Sequence, residues 1–267
     1  MSDPLPAIAA RDVSRLGQVF TPPEVVDLMR SLVRNNGRVL EPACGDGAFL
    51  QHFPFALGIE IDSRHAPHGA RVMDFFALPE KEQFATIIGN PPYVRYQEIA
   101  ASTRELQRRS LLDGRANLYL LFIEKCLRHL APGGELIFIT PRDFLKATSA
   151  VPLNRLMFEL GTITEFIDLG DLHLFDDATP NCAIWRFERG NLTRQTRYAA
   201  LGFADTAETL AAPPWGERRF LESGGHLLFT RHDYPLRLSD IAFVKVGAVS
   251  GADDLYTSDA AGNRDFV

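Results

Sequence analysis

One stretch limits the possible folds more than any other. Phe84-Ala85-Thr86-Ile87-Ile88 is short, apolar and rich in β-branched residues, and Gly89-Asn90-Pro91-Pro92-Tyr93 follows it directly. The first five residues suit a central strand. Two consecutive prolines fix φ and remove two backbone donors, so the strand cannot continue. Asn90 and Pro91 each precede a proline and are pushed to extended geometry. The chain must therefore present a stiff loop at a strand's carboxyl end, carrying an amide, bare carbonyls and an aromatic ring. In open α/β sheets, ligands bind at that edge.

This loop suits the capture of an exocyclic amine. Such a nitrogen is a poor nucleophile while its lone pair is delocalised into a ring or carbonyl. The Asn90 side-chain oxygen and the Pro91 carbonyl can each accept one N–H. That draws the nitrogen toward tetrahedral geometry and returns the lone pair to it. Tyr93 can stack on the flat group and favour a nearby cationic centre. Taken alone, the same residues also fit a tight turn with Tyr93 half-buried, so the neighbouring stretches decide.

Gly17-Gln18-Val19-Phe20-Thr21-Pro22-Pro23 leads into apolar residues at helical spacing from Glu24 to Val33. Thr21 fits an N-cap with prolines in the first turn, and Glu24 stands three positions on, as in a capping box. Arg38 to Leu50 reads as strand, glycine loop and helix start, through Leu40-Glu41-Pro42-Ala43-Cys44-Gly45-Asp46-Gly47. Glycines let backbone approach a ligand closely. The third glycine of the dinucleotide fingerprint is missing, and Glu41 and Asp46 would repel a phosphate. An acidic loop instead suits a ligand carrying an ammonium group. Phe55 to Asp62 is a second strand with an acidic tip, where a carboxylate can accept both hydroxyls of a ribose. A third strand ends at Arg71-Val72-Met73-Asp74-Phe75-Phe76. By themselves, Asp74 reads as a turn residue and Phe75 as core.

These motifs, in this order, resemble the amino methyltransferases that use S-adenosylmethionine. The best match is the gamma class of DNA adenine-N6 methyltransferases, the modification enzymes of bacterial restriction systems, and it covers Gly17 to Phe187. The resemblance implies a Rossmann-like α/β fold: a mostly parallel seven-stranded sheet with an antiparallel strand and helices on both faces. It makes Asn90, Pro91, Pro92 and Tyr93 the catalytic motif. Thr21, Glu41, Ala43, Cys44, Gly45, Glu60, Asp74, Phe75 and Asn90 become contacts of an S-adenosylmethionine cofactor. Among them, Glu60 would take the ribose, Asp74 the adenine amino group and Phe75 the adenine ring, while Asp62 caps the following turn. Phe175 matches the family's aromatic that stacks on a flipped base. Flipping is expected because a methyl donor cannot reach a base amine inside a duplex.

The remaining chain is less informative. Val94 to Gly114 follows the Asn-Pro-Pro-Tyr loop, with Arg95, Arg104, Arg108, Arg109 and Arg115 nearby, partly offset by Glu98, Glu105 and Asp113. A solvated face is the plain reading, and a DNA-facing loop the sharper one. Asn117 to Leu127 reads as an amphipathic helix, ending at Pro132-Gly133-Gly134 before a strand from Glu135 to Thr140. Thr162 to Leu169 is another strand, followed by a loop and an alternating strand to Phe187. The resulting expectation is a lead-in over 1–16, a catalytic domain over 17–190, an extension of it over 191–240, and the opening of a target-recognition region over 241–267. Family members usually continue further, so the chain reads as a fragment, a natural short form, or one whose partner supplies the rest.

Composition sets outer limits. The chain has 267 residues, 46% hydrophobic and 23% charged, which is ample core for one domain. No apolar run reaches spanning length, and Met1-Ser2-Asp3-Pro4 lacks a signal-peptide pattern. Cys44, Cys126 and Cys182 are too few and scattered for a disulfide framework or a zinc site. His65 and His68 alone do not make a metal site, so no metal is expected. Together these favour a cytoplasmic protein without membrane attachment. The net charge of −6 does not advertise a nucleic-acid binder; an absent basic recognition region would reconcile it with duplex DNA as partner, with or without a restriction or specificity subunit. The leading expectation is methyl transfer to adenine N6 in DNA. The alternatives are transfer to another planar amine or amide, in an RNA base or a protein glutamine, and a truncated, non-catalytic methylase fragment.

Overall fold

The structure, a computed structural model, describes residues 21–107, 110–112, 114, 116–170, 181–202, 205 and 207–231. Contacts divide the chain into Met1–His232 and Asp233–Val267; the second unit, including the expected recognition segment, lies outside the described residues.

Ten strands form one sheet. In chain order they are β1 (Val39–Glu41), β2 (Leu57–Glu60), β3 (Arg71–Val72), β4 (Phe84–Gly89), β5 (Leu130–Pro141), β6 (Gly161–Asp168), β7 (Cys182–Arg189), β8 (Gln195–Ala200), β9 (Gly216–Ser223) and β10 (His226–Thr230). The spatial order is β10-β9-β8-β6-β7-β5-β4-β1-β2-β3. Neighbours from β3 to β5 pair in parallel, and β7 runs antiparallel between β5 and β6. That is the expected seven-stranded core. The expected strand count falls short by three: β8 pairs with β6 in parallel, and β9 and β10 follow antiparallel. Strands β8 and β9 carry exposed charges, Arg197 and Glu217, beside half-buried Arg218 and Arg219, so they read as polar connections. Without them, β6 would leave a long apolar edge unpaired.

The central strands are apolar on both faces because both are covered. On β5, Leu136 and Phe138 point into one core with Trp185, and Ile137 and Ile139 into the other. The first core is closed by α3 (Leu118–His129) and α4 (Val151–Leu160). The second is closed by α1 (Pro23–Ser31) and α5 (Ala207–Ala211). The remaining helix, α2 (Ala101–Leu106), follows the Asn-Pro-Pro-Tyr loop.

Two local features position the site. The first is the start of α1, where Pro22 is the N-cap and no side chain caps the helix; the N–H groups of Val25 and Val26 reach the Pro22 carbonyl at 3.0 Å. The expected Thr21 cap is therefore corrected. The helix begins one residue later, and Thr21 is released toward the sheet edge.

The second is a buried ionic hub below α1. Fully buried Glu135 accepts from the N–H groups of Arg34 (3.0 Å) and Asn35 (2.9 Å), from the Thr86 hydroxyl (2.9 Å) and from Arg186 Nε (2.7 Å). Arg186 also pairs with Glu165 and Glu188. The hub pins the link between α1 and β1 to the middle of the sheet.

Candidate active site

The sheet order reverses between β1 and β4, and the carboxyl ends of those strands are where an α/β sheet opens a crevice. A cavity of about 320 Å³ lies there, within the usual range for small-ligand sites. The segments that follow β1, β2, β3 and β4 build its walls, with Leu118 and Phe122 of α3.

The loop after β1 turns through two left-handed glycines, Gly45 (φ 51°) and Gly47 (φ 87°). That conformation strains any residue with a Cβ. A Cβ on Gly58 of β2 would strike the Leu50 side chain and lie 3.1 Å from Cys44 Sγ, so glycine here lets β2 run beside this loop without displacing Leu50. The Cys44 N–H bonds to the Ile59 carbonyl at 2.9 Å.

The carboxylates are held largely by neutral donors. Glu60 accepts from the N–H groups of Gly45 (2.8 Å) and Asp62 (2.9 Å), which orients it at the tip of β2. Glu41 is buried at the end of β1, and its Oε2 has no hydrogen-bond partner among the described residues. Burial pushes the Glu41 carboxyl well above its ordinary value; the N–H groups of Leu50 and Phe49 oppose that, and nearby Asp46 and Glu60 add to it. Burial likewise pushes the Cys44 thiol up to about 12, with Glu41 and Glu60 adding to the shift, so it stays neutral. Asp62 is turned aside as a cap. It accepts from the Arg64 N–H and side chain, and the Arg64 bonds hold its carboxyl well below the usual range.

Asp74 caps the short turn Phe75–Ala77 by accepting from the Phe76 N–H at 2.9 Å, while its other oxygen accepts from the Thr103 hydroxyl at 2.6 Å. Phe75 is buried against Phe122, with ring centroids 5.1 Å apart, yet it also lines the cavity. The turn and core roles of these two residues therefore coexist with access to the crevice.

Asn90 stands at the mouth, just beyond β4. Its Nδ2 donates to Thr21 Oγ1 at 3.3 Å, which turns the amide oxygen away from Thr21. Thr21, Glu41, Ala43, Cys44, Gly45, Glu60, Asp74, Phe75, Asn90 and Pro92 thus converge on one cavity. Pro91 is buried, and neither it nor Tyr93 lines that cavity. The Tyr93 hydroxyl instead donates to the Ile139 carbonyl of β5 at 2.9 Å, and its ring meets Tyr119 edge-on at 6.1 Å. Burial raises its hydroxyl well above the usual value, so it stays protonated at neutral pH. Phe175 lies outside the described residues.

Sequence reasoning missed part of the apolar wall, formed by Ile61, Met73, Ile99 and Ala100. Ile61 carried a signal, since it stands between two acids at a strand tip, and Met73 adjoins Asp74 in a motif already singled out. Ile99 and Ala100 come from the segment after β4 and had none. No lysine or arginine lines the cavity among the described residues. The described residues also contain no cluster that could hold a metal ion and no helix long and apolar enough to cross a membrane.

Comparison with known proteins adds to this geometry. Residues 5–64 match the N-6 DNA methylase family model, and residues 57–175 match that of the Eco57I restriction-modification methylases. Over these two segments the chain is similar to the N6-adenine DNA methylases of restriction-modification systems. Among the curated relatives of these methylases, the type II methyltransferase M.HincII of Haemophilus influenzae is 30% identical over 192 residues, covering 66% of this chain and 38% of the relative. M.TthHB8I of Thermus thermophilus is 36% identical over 198 residues, covering 66% and 45%. The chain thus spans less than half the length of these curated methylases. A solved chain from Listeria monocytogenes, titled a class I S-adenosylmethionine-dependent methyltransferase, matches the fold with a TM-score of 0.56 at 19% identity, over 72% of this chain and 71% of that one.

Proposed function

We propose that this chain transfers a methyl group from S-adenosylmethionine to the N6 amine of adenine in double-stranded DNA, as a gamma-class enzyme of a restriction-modification system in the cytoplasm. The carrying observation is that Asn90, bonded to Thr21, opens onto an acidic cavity at the switch point of the sheet that no lysine or arginine lines among the described residues. The donor set fits this cofactor. Glu41 offers a buried carboxyl with an oxygen left for an ammonium group. Glu60 is set to accept from ribose hydroxyls, and Ile61, Met73 and Phe75 offer apolar surface to a flat ring.

When bound, S-adenosylmethionine supplies an electrophilic methyl group on a sulfonium. The chain's own contribution is alignment and electrostatics. The Asn90 carbonyl and the Pro91 backbone carbonyl accept the two N–H bonds of the target amine, which localises its lone pair. Tyr93, braced by Ile139, is the candidate to stack on the target base once it is flipped out, and the motif match makes Phe175 a second candidate. No strong base is required, because the amine loses its proton after attack. The matches to type II methyltransferases support DNA as substrate. A recognition segment or specificity subunit would supply the remaining phosphate and base contacts.

The test is transfer from labelled S-adenosylmethionine to mixed-sequence duplex DNA, followed by digestion to nucleosides. Label should appear in N6-methyldeoxyadenosine. Asn90→Ala should cut transfer by about a hundred- to a thousandfold, the scale on which losing one preorganised hydrogen-bonding group acts, while cofactor binding by calorimetry persists. Label in another base, in RNA or in protein would overturn the substrate; retained transfer by Asn90→Ala would overturn the mechanism.

A further inference from the structure

The segment after the Asn-Pro-Pro-Tyr loop leaves β4 through Val94 and returns at Leu118, whose N–H bonds to the Val94 carbonyl at 2.9 Å. Its base is therefore pinned. Between these points, Glu98, Ile99, Ala100 and Thr103 all line the cavity. Thr103 sits on α2, a helix of six residues with no side-chain cap, too short to be stable alone. It is held by what it touches.

Thr103 is buried, and its hydroxyl donates to Asp74 Oδ2 at 2.6 Å. The other Asp74 oxygen accepts from the Phe76 N–H. With both oxygens engaged, the carboxylate plane cannot rotate, and each oxygen keeps a further lone pair in a fixed direction. We propose that Thr103 is a positioning residue: by holding Asp74 Oδ2 it aims the carboxylate at the exocyclic amine of the cofactor's adenine, and so sets selectivity for a 6-amino purine. The inference rests on the cofactor reading above. It also links adenine recognition to the segment that continues the Asn-Pro-Pro-Tyr loop, so a correctly seated purine supports the wall beside the target amine. A bond that only stapled α2 to the turn would make no distinction between purines.

The test uses the full chain and two probes, S-adenosylhomocysteine and its 6-oxo counterpart, S-inosylhomocysteine, titrated by calorimetry. The 6-oxo group turns a donor into an acceptor, which a fixed carboxylate rejects. Wild type should prefer the adenosyl compound by at least about tenfold, the cost of one mismatched charged hydrogen bond. Thr103→Val and Thr103→Ala should both bring that ratio close to one, chiefly by weakening the adenosyl compound, and Thr103→Ser should restore it. Two hydroxyl-free variants of different size guard against one that fails to fold, and thermal unfolding reports this. A ratio unchanged in both variants, or equal weakening of both probes, would overturn the proposal and leave the cofactor reading intact. A wild type that binds neither probe would remove both.

Discussion

Two buried glutamates in the same sheet are treated in opposite ways. Glu135 is surrounded by donors, with Arg186, the Thr86 hydroxyl and two backbone N–H groups closing every side. Glu41, at the carboxyl end of β1, has no arginine or lysine among the described residues and keeps one oxygen without a partner. A buried carboxylate is costly unless paired. The first has its compensation within the fold, whereas the second has none there; under the proposed function a ligand's cation completes it. Satisfaction thus separates an acid that holds the architecture from one proposed to serve the site.

That contrast can be broken by mutation. Glu135→Ala leaves Arg186 buried with only its outer partners and should lower the unfolding free energy by about 3–5 kcal/mol, the usual cost of breaking a buried pair. Urea unfolding measures this; a loss under about 1 kcal/mol would mean the hub is ornamental. The fraction that folds should bind cofactor normally, because the hub does not line the cavity.

Glu41→Gln should behave in reverse. Cofactor affinity should fall at least about tenfold, as expected for losing a charged partner to an ammonium group. Ligand-free stability at neutral pH should hold or rise. A variant that lost stability while binding as wild type would erase the distinction.

The pH dependence sharpens the comparison. A folded-state value raised above 4.5 means the folded protein holds the Glu41 proton more tightly than the unfolded chain does. Its contribution is present below about pH 4.5 and is lost as pH rises through the raised folded value. Ligand-free wild type should therefore lose stability across that window, and Glu41→Gln should show a shallower slope in thermal unfolding. Bound cofactor should flatten the wild-type slope, because an ammonium partner favours the ionised carboxyl. Equal slopes for wild type and variant would show that Glu41 does not titrate there.

At the small end stands the exposed pair Arg30–Asp27 on α1, at 3.1 Å. Arg30→Ala should change stability by no more than about 0.5 kcal/mol. A larger effect would mean that exposed charges matter here as buried ones do.

Legibility followed locality. The Asn-Pro-Pro-Tyr loop, the acidic glycine loop and the Glu60 tip could be read because each lies within a few residues, and proline, glycine and charge restrict local geometry strongly. The Thr21 cap was misread because Pro22 and Thr21 compete for one position, and only the helix's actual start decides between them. Strands β8–β10 escaped notice because half-exposed strands share the composition of loops. Thr103 had no local signal: its meaning comes from Asp74, distant in sequence and 2.6 Å away in space.

The amino-acid sequence alone determined that a buried strand ends in a rigid amide-bearing loop, that an acidic glycine turn precedes it, and that the chain is α/β. These follow from steric limits on single residues and from side-chain alternation, which act without regard to distant chain. The tertiary structure alone decided which carboxylates are compensated and which face the cavity. It also turned Tyr93's hydroxyl to β5 and its ring to Tyr119, and it set Thr103 against Asp74. Burial and hydrogen-bond partnership are properties of packed neighbours, and those neighbours are brought together only when the sheet closes.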